Sequence, residues 1–70
     1  MKNKVKQYRT QANMTQVELA KRVGVSSRTI ISIENDKYNP SLTLAYQIAQ
    51  VFDTTIEELY CLKENLGGEN

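Results

Sequence analysis

Residues 16–35 read QVELAKRVGVSSRTIISIEN, and the spacing of apolar side chains within them decides the fold. Leu19, Val23, Val25, Ile30 and Ile33 fall where two short helices folded across a tight turn must share a core. Ala20 is small where the second helix of the pair has to approach closely, and Gly24 stands where the turn needs a positive φ. The preceding residue, Thr15, has Glu18 three positions on, the pattern of a capping box that opens a helix at Gln16 and lets it run to Val23. Ser26 is placed to cap the next helix, predicted over about residues 27–35.

Projecting that third helix at about 100° per residue divides it cleanly. Ser27, Ile31, Asn35, Arg28 and Ser32 share one face, while Thr29, Ile30, Ile33 and Glu34 fall on the other. Ile30 and Ile33 are therefore the expected core pair, and Ile31 stands among hydrogen-bonding side chains and one long cation. Arg pairs with guanine, Ser adapts to several base edges and an apolar group meets a thymine methyl, so these types suit a DNA major groove. A solvated polar face carrying one exposed isoleucine is the plainer reading of the same residues.

Outward from the pair, the periodicity stays helical and shows no two-residue alternation. Val5, Tyr8 and Ala12 predict a first helix over about residues 3–12. Asn35-Asp36-Lys37-Tyr38-Asn39-Pro40 reads as a polar loop. Ser41 then caps a fourth amphipathic helix carrying Leu42, Leu44, Ala45, Ile48, Ala49 and Phe52. Thr55 with Glu58 repeats the capping pattern and opens a fifth helix that runs through Leu62 or Leu66. The expectation is an all-α, compact five-helix domain over residues 1–66, with residues 67–70 as a frayed tail.

The 70-residue chain carries a net charge of only +1, but its charges are segregated. Residues 1–37 hold eight basic and three acidic side chains, for +5; residues 38–70 hold Lys63 against five acids, for −4. The basic half is where a polyanion would be met. A single cysteine, Cys61, and no histidine exclude an intrachain disulfide and the common zinc spacings. Glu57-Glu58 diverge on a helix and favour its first turn electrostatically, so they do not make a catalytic pair. Without histidine, a phosphate-cradling glycine loop or a core large enough for a substrate pocket, the sequence does not read as an enzyme, and no cofactor is implied. The four tyrosines are too scattered for a single-strand stacking platform. MKNKVKQYR at the N-terminus has charges but no apolar leader behind them, and no run approaches membrane-spanning length; a cytoplasmic location is expected.

TQVELAKRVGVS, TIISIENDKYNPSL and the later IEELY resemble, in order, segments of the Cro/repressor-type (XRE) helix-turn-helix transcription regulators. The resemblance implies a lambda-repressor-like domain with its helix-turn-helix at helices 2 and 3. It implies DNA base contacts from Ser27, Arg28, Ile31 and Ser32, and phosphate contacts from Gln16, Asn35, Lys37 and Tyr38. Arg9 and Glu34 match an internal salt bridge between the first and third helices. The implied function is a repressor that binds a pseudo-palindromic double-stranded operator as a homodimer, with Ile56, Leu59, Tyr60 and Leu62 at the dimer interface. A protein-interaction module of the same fold, such as an antitoxin, is the alternative. Two positions depart from the family: Asp36 replaces a usual glycine, and Ile31 stands where polar or basic residues are more usual.

Overall fold

Thr15 accepts a hydrogen bond from the Glu18 amide at 3.0 Å while the Glu18 carboxylate accepts from the Thr15 amide at 2.8 Å, closing the capping box that starts α2. The computed structural model describes residues 2–66, which form six helices: α1 Val5–Gln11, α2 Gln16–Val23, α3 Ser27–Glu34, α4 Leu42–Val51, α5 Ile56–Leu59 and α6 Leu62–Leu66. The tail expected at residues 67–70 lies outside the described residues. Ser26, Ser41 and Thr55 each accept from the amide three residues on, which satisfies one orphan donor at the start of α3, α4 and α5.

Three of the helices, α1, α3 and α4, also end alike. At the end of α3 the Asp36 amide donates to Ile33 O and the Lys37 amide to Ser32 O, with Asp36 in the left-handed region at φ 60°. This is a Schellman closure. The same pair of bonds closes α1 around Asn13 (φ 56°) and α4 around Asp53 (φ 54°). Among the described residues, α2 alone uses glycine there, Gly24 at φ 74°.

The spacing predicts five helices and six are found. The expected fifth helix breaks at Cys61, whose φ is 50°. Asn65 stabilises the break: its Nδ2 donates to Tyr60 O at 2.6 Å and to Lys2 O at 2.9 Å, so α6 folds back towards the N-terminal stretch of chain.

Val5, Leu19, Ile30, Ile33, Ile48 and Leu59 are the largest fully buried side chains, one or two from each of the first five helices. α2 and α3 make the most extensive helix contact, α4 covers α2, and α1 lies on α3. Tyr8 stacks on Phe52 with ring centroids 5.8 Å apart, joining α1 to the end of α4. Two expected core positions are not core. Ala12 is exposed because α1 ends before it, and Leu42, in the first turn of α4, is 76% exposed.

Candidate nucleic-acid interface

The rotation of α3 about its own axis is fixed by Ile30 and Ile33, both 0% exposed. The opposite face is thereby turned outward. Arg28 is exposed, Ile31 is 40% exposed, and Ser27 and Ser32 are half-buried. Arg28 and Ser32 line an open cleft of about 370 Å³ together with Lys37 and Tyr38 from the loop after α3. The structure thus brings two expected base readers and two expected phosphate contacts to one concave surface.

Ser26 and Thr29 complete that cleft, and the sequence reading turns neither towards it. The helical projection puts Thr29 on the inner face; it is half-buried, and its hydroxyl lies 3.2 Å from Ser26 Oγ. At about 200° on that projection Thr29 adjoins Ser32 rather than opposing it. The N-cap pattern S-x-x-T is the available signal, since a capping serine and a threonine three residues later stand over the same turn.

Asn35, Asp36, Lys37 and Tyr38 are all exposed, with Tyr38 at 48%. Aspartate replaces the family's usual glycine at position 36 without opening the turn, because Asp tolerates the left-handed conformation better than most residues.

Behind this face lies a polar lock. Arg9 Nε donates to Glu34 Oε2 at 2.6 Å and Nη2 donates to Oε1 at 3.2 Å. Arg9 Nη1 donates to Met14 O at 2.8 Å, and Gln16 Nε2 donates to Glu34 Oε1 at 3.0 Å. The two charged side chains are only 11% and 3% exposed. One bidentate pair thus ties α1, the α1–α2 turn, the start of α2 and the end of α3 together. The bond to Glu34 fixes the Gln16 side chain and uses one of its two amide hydrogens.

The residues expected at a dimer interface separate into two pairs. Leu59 is 0% exposed, so its side chain is closed to a partner, a correction to the sequence reading; Tyr60 is 4% exposed and shows only an edge, at the lining of a groove. The break at Cys61 permits this, since the short α5 turns both residues into the core. Ile56 and Leu62 are half-buried and line that apolar groove of about 300 Å³ with Tyr60, Pro40, Leu42 and Ala45. Leu62 also borders a second depression with Leu66, which is 64% exposed. Among the described residues no helix is long and apolar enough to cross a membrane.

Two helices sharing a core across a glycine turn, the second offering a hydrogen-bonding and basic face, define a helix-turn-helix protein. The helix-turn-helix family matches residues 5–59. The chain belongs to that family, as a Cro/repressor-type (XRE) member whose kin are DNA-binding transcription regulators. It is 53% identical over 64 residues to a protein of Archaeoglobus fulgidus described as an uncharacterized HTH-type transcriptional regulator, covering 91% of this chain and 90% of that one. The antitoxin HipB of Escherichia coli is more distant, at 39% identity over 54 residues, or 77% of this chain and 57% of the antitoxin. Among solved structures, a chain of the SinR protein/SinI protein complex superposes with a TM-score of 0.76 at 29% identity; the match covers 96% of this chain and 64% of that one.

Proposed function

We propose that this chain is a sequence-specific repressor that binds a pseudo-palindromic double-stranded operator as a homodimer in the cytoplasm, with no catalytic role. The observation that carries the reading is the cleft joining Arg28 and Ser32 of α3 to Lys37 and Tyr38 of the following loop. Groove-reading and phosphate-gripping side chains stand side by side there, as an interface that reads bases and holds the backbone requires. Ser27, Ile31 and Asn35 extend the contact along the helix, and Gln16 grips a phosphate at the start of α2, where free amides and the helix dipole favour an anion. Two such domains set their recognition helices about 34 Å apart, in successive major grooves. The dimer contact is assigned to the apolar surface of Ile56, Leu62, Leu66 and Leu42.

Selection of bound duplexes from a random pool, followed by titration of the selected site, tests this. The expected site is a two-fold repeat with half-sites about one helical turn apart. Arg28→Ala should lose about 1–3 kcal/mol on the selected site and relax its preference, while Lys37→Ala should weaken all duplexes and lower the salt slope by about 1. Equal effects of both variants on every sequence would refute the division of roles.

The match to an antitoxin supports a second reading, in which the outer face of α3 holds a partner protein. Binding to random duplex separates the two. A DNA-binding interface loses orders of magnitude between about 50 and 200 mM salt, whereas no binding even below about 100 mM salt favours the protein partner.

A further inference from the structure

Asn3 makes three hydrogen bonds at the junction of α1 and the recognition helix. Its Oδ1 accepts from the Val5 amide at 2.9 Å, a local turn bond that satisfies the first amide of α1. Its Nδ2 donates to Ile33 O at 2.9 Å and to Asp36 Oδ1 at 3.0 Å. The segment carrying it is fixed on both sides, by Lys4 N donating to Leu59 O at 2.8 Å and by Asn65 Nδ2 donating to Lys2 O. Position 36 is the left-handed residue that closes α3, and the three residues around it are those assigned to phosphate. A carboxylate set free in that loop would stand beside a polyanion.

Resting on the DNA-binding reading above, we propose that Asn3 is a positioning residue for the backbone-gripping loop. Its amide holds the Asp36 carboxylate against the body of the domain, so that Asn35, Lys37 and Tyr38 meet the phosphates instead. The pairing answers both difficulties that aspartate creates in place of glycine. The bond to Ile33 O reinforces the helix end that the left-handed residue closes, and the bond to Asp36 directs its charge inward. Consistent with that direction, the negative charge of Asp36 reaches the buried Tyr60 phenol and, after burial itself, is the second cause holding that phenol protonated. The sequence offers Asn3 no motif; only the fold brings residues 33 positions apart into contact.

A double-mutant cycle on duplex affinity tests the proposal, with thermal melts run on each variant. Asn3→Ala should weaken binding to the selected operator by about fivefold, and adding Asp36→Gly should bring the double variant back to within about twofold of wild type, because neighbouring groups that act together do not add. Asn3→Asp keeps the oxygen that accepts from the Val5 amide and sets a like charge against Asp36, so it should fold, weaken binding more than Asn3→Ala, and also be rescued by Asp36→Gly. Amide exchange at residues 35–38 should quicken in both Asn3 variants at unchanged exchange in α2. Equal losses from Asn3→Ala in the wild-type and Asp36→Gly backgrounds would overturn the proposal while leaving the interface standing. Failure of the wild-type chain to bind any duplex would overturn the interface and this role together, even with the loop exchange altered.

Discussion

Ile30 and Ile31 are neighbours in sequence with opposite environments, 0% and 40% exposed, and their difference measures how well the face of α3 has been assigned. Ile30→Ala removes a side chain packed on all sides and should cost about 2–5 kcal/mol in denaturant unfolding. Ile31→Ala should cost under about 1 kcal/mol of stability, and should weaken operators that place a thymine methyl under it more than others. A stability loss matching that of Ile30→Ala would show the helix rotated. Glu34 is the complementary case, polar yet buried. Glu34→Ala leaves Arg9 charged and unpaired against Met14 O, so chemical denaturation should show a loss of about 3–5 kcal/mol. Replacing both Arg9 and Glu34 with apolar residues should cost much less. The isoleucine division is legible because 100° per residue separates the two faces of an eight-residue helix. Thr29 is not, since a residue at the edge of a face is assigned by its hydrogen bond to Ser26, which periodicity does not contain.

The starts of α2 to α5 are legible in this chain and most helix ends are not, for a physical reason. N-caps favour a side-chain oxygen, so Thr15, Ser26, Ser41 and Thr55 announce themselves, whereas α1 starts at Lys4 without such a bond. The ends are closed by backbone bonds around a left-handed residue, and only Gly24 advertises that conformation unambiguously. Asn13, Asp36 and Asp53 are tolerant types, but Cys61 carries no such signal, which is why one expected helix became α5 and α6. The break has a consequence in Tyr60. Its hydroxyl is buried with no hydrogen-bond partner among the described residues, and burial, followed by the charge of Asp36, pushes its pKa well above the usual tyrosine value. Tyr60→Phe removes an unsatisfied polar group and should be neutral or stabilising by up to about 1 kcal/mol near neutral pH. Above pH ~10 the unfolded tyrosine releases its proton while the folded one retains it, so stability falls as pH rises. Denaturant unfolding from pH 8 to 11 should therefore show a shallower decline for Tyr60→Phe than for wild type. Parallel curves would mean that the phenol is relieved of its burial in solution.

Across the described residues, the basic charge and the two most exposed large apolar side chains lie on different parts of the chain. The +5 half supplies α1 to α3 and the start of the loop assigned to DNA, and the −4 half supplies α4 to α6, where Leu42 and Leu66 stand 76% and 64% exposed. A domain this small buries only about 60% of its unfolded surface, so covering a further apolar face adds stability that its own core cannot supply. The sequence points to the fifth helix for that contact but selects its residues by hydrophobicity alone. Hydrophobicity does not separate Leu59 and Tyr60, buried in the core, from Leu66, which stands exposed. Leu42→Asp with Leu66→Lys tests the reassigned surface without touching the core. Asp in the first turn of α4 and Lys in the last turn of α6 both suit the helix dipole, so the melting curve of the monomer should shift by no more than about 0.5 kcal/mol in stability. Sedimentation should show the dimer weakened by at least tenfold, about 1.4 kcal/mol. On DNA, a single half-site should be bound as by wild type, while the affinity gained by joining two half-sites should fall with the dimer. Undiminished dimerisation would move the contact off this face and leave the groove beside Leu62 without a partner.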